Sequence, residues 1–342
     1  MENTKVIFTG IRQVELQQDN IPAITDDQFL VRTEATLIST GTELTCLEAN
    51  VDPDSAWFND IKYPMNPGYS LVGKIVSVGK NVPADYVGKR VFLEKGHAAY
   101  HAVDAECNNS RFYPFVPDGV PSANATFSAL GVVCMASVRV ARIRPGEVCV
   151  VFGAGIVGQL LARLAKLAGA GTVMVTDVSD LRLDKLPKDP CFVPFNSAKG
   201  DPVEKIKELT GGRGADVVFE TTAVASLIPQ QLKCVAPGQV GRLIITSSPK
   251  KLSTVDFQFV SEAGITIIGA GNFAVHTPQE SHDNRWTRRN DFGYILDMMA
   301  KGQLNLDGMV THEFAAKDAI QAYDMLLADR TQAMGVILNW EE

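Results

Sequence analysis

At 342 residues, with 46% hydrophobic and 21% charged side chains, the chain has material for two cores and the composition of an ordinary globular protein, which excludes a disordered one. A net charge of -7, with no Lys/Arg run longer than pairs such as Lys250-Lys251 and Arg288-Arg289, excludes a nucleic-acid partner. The start MENTKVIFTG has no charged region followed by a long apolar stretch, and no later segment offers the roughly 18 apolar residues of a membrane span, so the chain reads as cytoplasmic.

The first hundred-odd residues carry short β-rich runs such as FLVRTEATLIS and SLVGKIVSVG, punctuated by Gly and Pro, and predict a barrel-like β domain. From about Ser122 the pattern turns to alternating helix and strand. An Ala-rich stretch through Val140 is followed by CVVFGAG, the helix GQLLARLAKLAG and the strand TVMVTD. The strand-like runs ADVVFE, GRLIIT and ITIIGA follow at helix-sized intervals, so a doubly wound parallel sheet ends near Ala270. The tail holds a helix around Phe292 to Lys301, a second helix from Lys317 to Ala328 and a closing strand GVILNW; it extends no βα alternation and is expected to pack back on the N-terminal domain. The Asn/His/Arg-rich stretch His276 to Asn290 is a candidate lid or substrate loop. Six cysteines (Cys46, Cys107, Cys134, Cys149, Cys191, Cys234) form no CxxC pair and read as reduced, mostly buried thiols.

Gly153-Ala154-Gly155-Ile156-Val157-Gly158 follows an apolar strand and opens a helix, the context in which G-x-G-x-x-G has a mechanism. Gly153 permits a tight turn, Gly155 lets the backbone approach a pyrophosphate, and Gly158 lets helix and strand pack closely. Asp177 ends the next strand, about twenty residues on, where an acid accepts hydrogen bonds from the adenosine ribose. Ile156, Val157, Thr222 and Thr246 complete the candidate cofactor positions. A carboxylate at Asp177 repels a 2′-phosphate and no Arg follows immediately, Arg182 being the first, which favours NAD over NADP. The competing reading makes Asp177 a solvated strand-end acid or a helix cap, a role Ser179 or Asp180 serves equally well.

The runs PGYSLVGKIVSVGKNV, VGKRVF and RPGEVCVVFGAGIVG resemble the medium-chain dehydrogenases/reductases over essentially the whole chain. That resemblance implies an α/β fold with a GroES-like β-barrel catalytic domain over 1–128 and 271–342 and a Rossmann domain over 129–270. It also implies a homodimer or homotetramer acting on a small-molecule substrate. In the zinc alcohol dehydrogenases of the family the metal is held by a Cys motif, by a His-Glu pair after Pro-Gly, and by a later Cys or Glu. Here those positions read Thr40-Gly41-Thr42-Glu43, Pro67-Gly68-Tyr69-Ser70 and Ser128, and the four-cysteine lobe of the structural zinc is absent. Neutral hydroxyls do not supply the charged donors zinc needs, so neither a catalytic nor a structural zinc is expected.

Without a Lewis acid the alkoxide proton needs a side-chain acid/base, and the candidates are Tyr69 or His97 helped by Thr42. Each has a plainer role open to it: turn hydroxyl, core filler, and, for His97 as for His101, ordinary barrel histidine. Arg285-Trp286-Thr287-Arg288 is similar to a motif of zinc-less relatives that oxidise the 3-hydroxyl of glycosides. Arg285, Trp286 and Arg288 are therefore candidate substrate residues, together with Trp57, although a Trp at either place also serves as an anchor. The expected activity is NAD-linked oxidation of a secondary hydroxyl on a sugar, glycoside or cyclitol. The alternatives are an NADPH-dependent quinone or enone reductase and an inactive dinucleotide-binding protein.

Overall fold

The structure is a computed structural model that describes residues 2–105, 114–238 and 240–341. Cys107 lies outside the described residues; Cys46, Cys134, Cys149 and Cys234 are buried free thiols and Cys191 is half-buried. The chain forms two compact units, one of Met1–Asn50, Phe58–Ala129 and Thr277–Glu342, the other of Val51–Trp57 and Leu130–His276.

The first unit is built on an antiparallel hairpin, Glu2–Gly10 with Gln13–Asn20, and a six-stranded sheet. Along that sheet run Val310–Ala315, Gly335–Asn339, Gln28–Leu37, Leu71–Val78 and Arg90–Leu93, with Tyr100–Asp104 also paired to Gln28–Leu37. Alternation along Gln28–Leu37 turns Phe29, Val31 and Ala35 inward, where Phe29 and Val31 pack with Leu71, Ile75, Val91 and Leu93. The C-terminal tail returns to this unit as expected: Gly335–Asn339 pairs antiparallel with Gln28–Leu37. The strand Val310–Ala315, which lies parallel to Gly335–Asn339, has no clear alternation and was not among the expected elements.

The second unit is a six-stranded, all-parallel sheet. Its order is Thr266–Gly269, Arg242–Ile245, Val217–Glu220, Val148–Phe152, Thr172–Asp177, Phe192–Asn196. Strand Val148–Phe152 is buried nearly throughout, as a sheet covered on both faces requires. Strand order reverses beside it, because the next strand in sequence, Thr172–Asp177, lies on one side and Val217–Glu220 on the other. Ligands bind outside the carboxyl ends of strands at such a switch point. Among the described residues no helix is long and apolar enough to cross a membrane.

Candidate active site

Gly153 leaves its strand with φ +104°, a conformation that favours glycine, and a Cβ there would meet Thr221 Oγ1 at 2.9 Å. A Cβ on Gly158 would lie 1.8 Å from Gly153 O, so only glycine lets the helix Ile156–Leu167 close onto the strand. A Cβ on Gly155 would meet nothing within 4 Å. Gly155 is also the N-cap of that helix, and no side chain among the described residues caps the first helical N–H groups. Thr222 and Thr246 stand at the carboxyl ends of the two neighbouring strands. The hydroxyl of Thr246 is buried with no hydrogen-bond partner among the described residues. An open cradle beside helix N–H groups and an orphaned hydroxyl fit a dinucleotide.

A buried acid not singled out from the sequence organises this edge. The Glu220 carboxylate accepts from Thr222 N at 2.6 Å, Thr222 Oγ1 at 2.7 Å and Ala223 N at 2.9 Å, and also from the Ser247 hydroxyl. It thereby ties the loop after Val217–Glu220 to the loop after Arg242–Ile245.

Asp177 stands at the expected strand end, but its carboxylate turns inward. Oδ2 accepts from Ala154 N at 2.7 Å and Oδ1 from Ser179 N at 2.9 Å. Arg182, five residues on in sequence, comes within reach in the fold: a short helix, Asp180–Leu183, capped by Ser179, brings its Nη1 to 3.9 Å from Asp177 Oδ2. Asp177→Ser is expected to raise the affinity for NADP relative to NAD, since it removes the negative charge and leaves Arg182; competitive binding of the two dinucleotides checks this.

In the first unit, Ser39 Oγ and the Tyr69 hydroxyl lie 2.6 Å apart. Thr42, in the first turn of the helix Thr42–Glu48, brings a second hydroxyl near enough to Tyr69 to lower its pKa. Burial raises the Tyr69 hydroxyl above the usual tyrosine value, with Glu43 and Glu94 adding to the rise against the Ser39 and Thr42 hydroxyls. Tyr69 is thus held as a neutral phenol. Ser70 beside it is buried with its hydroxyl unpartnered among the described residues.

His97, a candidate acid/base or an ordinary barrel histidine by sequence, is buried with both ring nitrogens engaged. It is 0% exposed, and its ring nitrogens are engaged by Thr36 Oγ1 at 2.8 Å and Glu43 Oε2 at 3.0 Å. One direction of donation satisfies every group. Trp340 Nε1 donates to Thr36 Oγ1 at 3.0 Å, Thr36 to His97 Nδ1, and His97 Nε2 to Glu43, which also accepts from the Tyr323 hydroxyl at 2.5 Å. His101 has the plainer role left open to it: its Nε2 meets Gly96 O at 3.1 Å, and burial lowers its pKa to about 4.

Tyr323 carries a pH-dependent share of stability. Burial, then the Glu43 charge, hold its hydroxyl protonated well above 10.0. An unfolded tyrosine loses its proton near 10, so stability is full below that pH and falls as pH rises beyond it. Tyr323→Phe is expected to cost about 1–3 kcal/mol at neutral pH and to flatten the decline above pH 10, as urea unfolding at both pH values would show.

The candidate substrate residues divide between the two units. Trp57 belongs to the second, where its indole N–H donates to Ser248 Oγ at 2.9 Å and Lys250 Nζ stands 3.4 Å over its ring. Trp286 is 37% exposed just before the helix Arg288–Ala300, with Arg285 at 5.1 Å over its ring. Arg288 is buried, ion-paired with Glu94 at 2.5 Å and stacked on Phe292 at 5.6 Å. Glu94 immediately follows Leu93, which is paired with Leu71, so the register sets Glu94 beside the Tyr69-Ser70 turn.

The residues at the family's metal positions do not fit zinc. Thr40, Tyr69 and Ser70 offer hydroxyls, and Ser128 Oγ is committed to Ala125 O at 2.7 Å. Among the described residues no group of three His, Cys, Asp or Glu side chains is placed to hold a metal ion.

The family model described as zinc-binding dehydrogenase matches residues 157–284. Sorbitol dehydrogenase 1 of Saccharomyces cerevisiae is 25% identical over 98% of each chain, and L-threonine 3-dehydrogenase of Thermococcus kodakarensis is 26% identical over 93% of this chain and 92% of that one. The solved structure of a butanediol dehydrogenase from Bacillus subtilis superposes with a TM-score of 0.80 at 20% identity, over 99% of this chain and 100% of that one. Solved proteins of the same fold have been captured with NADH and with NADP. The α/β architecture of a GroES-like and a Rossmann domain is that of the alcohol dehydrogenases. The relatives are named dehydrogenases, consistent with an NAD(P)-dependent oxidoreductase acting on CH–OH groups. Over nearly its whole length the chain is thus similar to zinc-type alcohol dehydrogenase-like proteins, with the family model confined to residues 157–284.

Proposed function

We propose that the chain is an NAD-dependent, zinc-independent dehydrogenase that oxidises a secondary hydroxyl of a sugar, glycoside or cyclitol to a ketone. In this reading 129–270 is the dinucleotide-binding domain and 1–128 with 271–342 the catalytic one. The observation that carries it is the Tyr69–Ser39 hydroxyl pair, 2.6 Å apart, at the turn where zinc-bearing relatives place a metal ligand. The relatives named for sorbitol and threonine support a polar, hydroxylated substrate. The half-exposed Trp286 supports a sugar ring as the stacking partner.

When bound, the dinucleotide supplies the acceptor for the hydride. It would be held by the N–H groups behind Gly155, by Thr222 and Thr246, and by Asp177. The chain's own residues handle the proton. Tyr69 takes the proton of the substrate hydroxyl as its own passes to Ser39, whose proton passes in turn to water, so neither a phenolate nor a protonated serine forms; the raised Tyr69 pKa favours this relay over a phenolate base. Thr42 orients the phenol, and Glu94 with Arg288 offers one acceptor and one donor to neighbouring substrate hydroxyls.

The test is NADH formation by chelator-treated protein across polyols, glycosides and cyclitols, with NADPH plus quinones or enones as the contrasting arm. Turnover only in the second arm would replace this reading with the reductase one.

A further inference from the structure

The reading above uses Tyr69 and Ser39 and leaves unexplained why a carboxylate and an imidazole lie buried beneath them. Glu43 is 2% exposed and His97 0%, and neither reaches solvent to exchange a proton. Glu43 holds the backbone of Ser39, and His97 holds the two residues that precede Tyr69. Glu43 Oε1 accepts from Ser39 N at 2.7 Å while Glu43 N donates to Ser39 O at 2.9 Å, a reciprocal clasp that fixes Ser39 in both directions. His97 works on the other partner. Its N–H donates to Pro67 O at 2.8 Å, and its ring packs so closely on Gly68, which has φ +96°, that a Cβ there would meet ring atoms at 2.8 Å. The residue after Gly68 is Tyr69. The Glu43–His97 contact at 3.0 Å joins the two supports, and Tyr323 closes the carboxylate from behind.

We infer that Glu43 and His97 are positioning residues, a buried pair that grips the backbone on each side of the Tyr69–Ser39 contact and sets the distance between the two hydroxyls. The inference rests on the dehydrogenase reading for its catalytic consequence, but the positioning itself is measurable without turnover. A pair kept only for barrel stability would leave the hydroxyl contact unmoved when the clasp on Ser39 N is withdrawn. A pair built against the site moves Tyr69 then, while the charges of Glu43 on the helix Thr42–Glu48 and of Glu94, itself paired with Arg288, act on the phenol by proximity.

The experiment is Tyr Cζ NMR on carbon-13 tyrosine-labelled full-length protein, with Tyr69→Phe assigning the resonance among seven tyrosines. Three forms are compared: wild type, Glu43→Gln and Glu43→Asp. Glu43→Gln keeps an acceptor for Ser39 N and removes the charge, so Tyr69 is expected to begin titrating at lower pH than in wild type. Glu43→Asp keeps the charge and withdraws it from Ser39 N; its Tyr69 resonance is expected to move at neutral pH. For both variants kcat is expected to fall on the order of tenfold with the KM for NAD unchanged. Melting temperatures that fall while the Tyr69 resonance keeps its wild-type position and titration would overturn the inference and leave the pair a stability element. A wild-type protein that turns over none of the substrates would overturn the dehydrogenase reading, and the NMR comparison would still decide the positioning.

Discussion

Tyr69→Phe is expected to lower kcat for alcohol oxidation by about 10²–10³-fold while leaving NAD affinity unchanged. The variant keeps the ring and leaves the packing of Gly68 against the His97 ring in place, and it loses one hydroxyl bonded to Ser39 Oγ at 2.6 Å. The stability cost of that bond is about 1 kcal/mol. The catalytic cost is larger because the hydroxyl is the only group proposed to touch the substrate oxygen as charge develops there. Ser39→Ala, which interrupts the relay one step further on, is expected to lose less than Tyr69→Phe. The pH dependence follows from the direction of the Tyr69 shift. Burial first, then the Glu43 and Glu94 charges, keep the phenol protonated above the ordinary tyrosine value of 10.0, so the relay persists to that pH and fails only beyond it. A kcat profile that declines near pH 8, or a Tyr69→Phe protein of wild-type rate, would remove Tyr69 from the chemistry.

Gly158→Ala is expected to abolish dinucleotide binding and destabilise the second unit, whereas Gly155→Ala weakens binding alone. The difference lies in what each new methyl meets. At Gly158 it would stand 1.8 Å from Gly153 O and 2.8 Å from Gly153 C, backbone atoms that cannot rotate away. The helix Ile156–Leu167 must then lift from the sheet, and Ile156, Leu160, Leu161 and Leu164, buried beneath it, lose their contacts. Overpacking of this kind costs about 1–3 kcal/mol, and more when backbone is the obstacle. At Gly155, where φ is -68°, alanine suits the backbone and meets nothing within 4 Å. Its methyl instead occupies the space where a pyrophosphate would approach the helix N-terminus. Calorimetric melting with NAD titration separates the two cases: Gly155→Ala melts like wild type and binds NAD at least about tenfold more weakly, a difference of about 1.4 kcal/mol.

The two glycine variants also show what the sequence could reveal. Gly153, Gly155 and Gly158 were legible because each serves a local need of turn, approach or packing that only glycine meets, and spacing alone exposes it. The parallel sheet was legible for the same reason, since strands buried nearly throughout, such as Val148–Phe152, read as continuous apolar runs. The strand Val310–Ala315 was not, because its residues are half-buried and carry no alternation.

The hydroxyl site was only half legible. Tyr69 and Thr42 stand in motifs, but Ser39 matters through a contact with a residue 30 positions away, and Tyr323 through one 280 positions away from Glu43. Linear spacing carries no trace of such pairs. His97 shows the opposite failure: its residue type suggested chemistry, and only its burial and its two engaged nitrogens reveal a support. Glu43 stood in the same Thr-Gly-Thr-Glu run as Thr42, and a buried acid just inside a helix start was the signal available there.

Hydride transfer to NAD without a zinc ion is read out by NADH absorbance. Protein dialysed against a strong chelator and shown metal-free by elemental analysis is offered NAD with sugars, glycosides and cyclitols. The account predicts turnover that added zinc does not increase. Turnover that appears only when zinc is restored would contradict it.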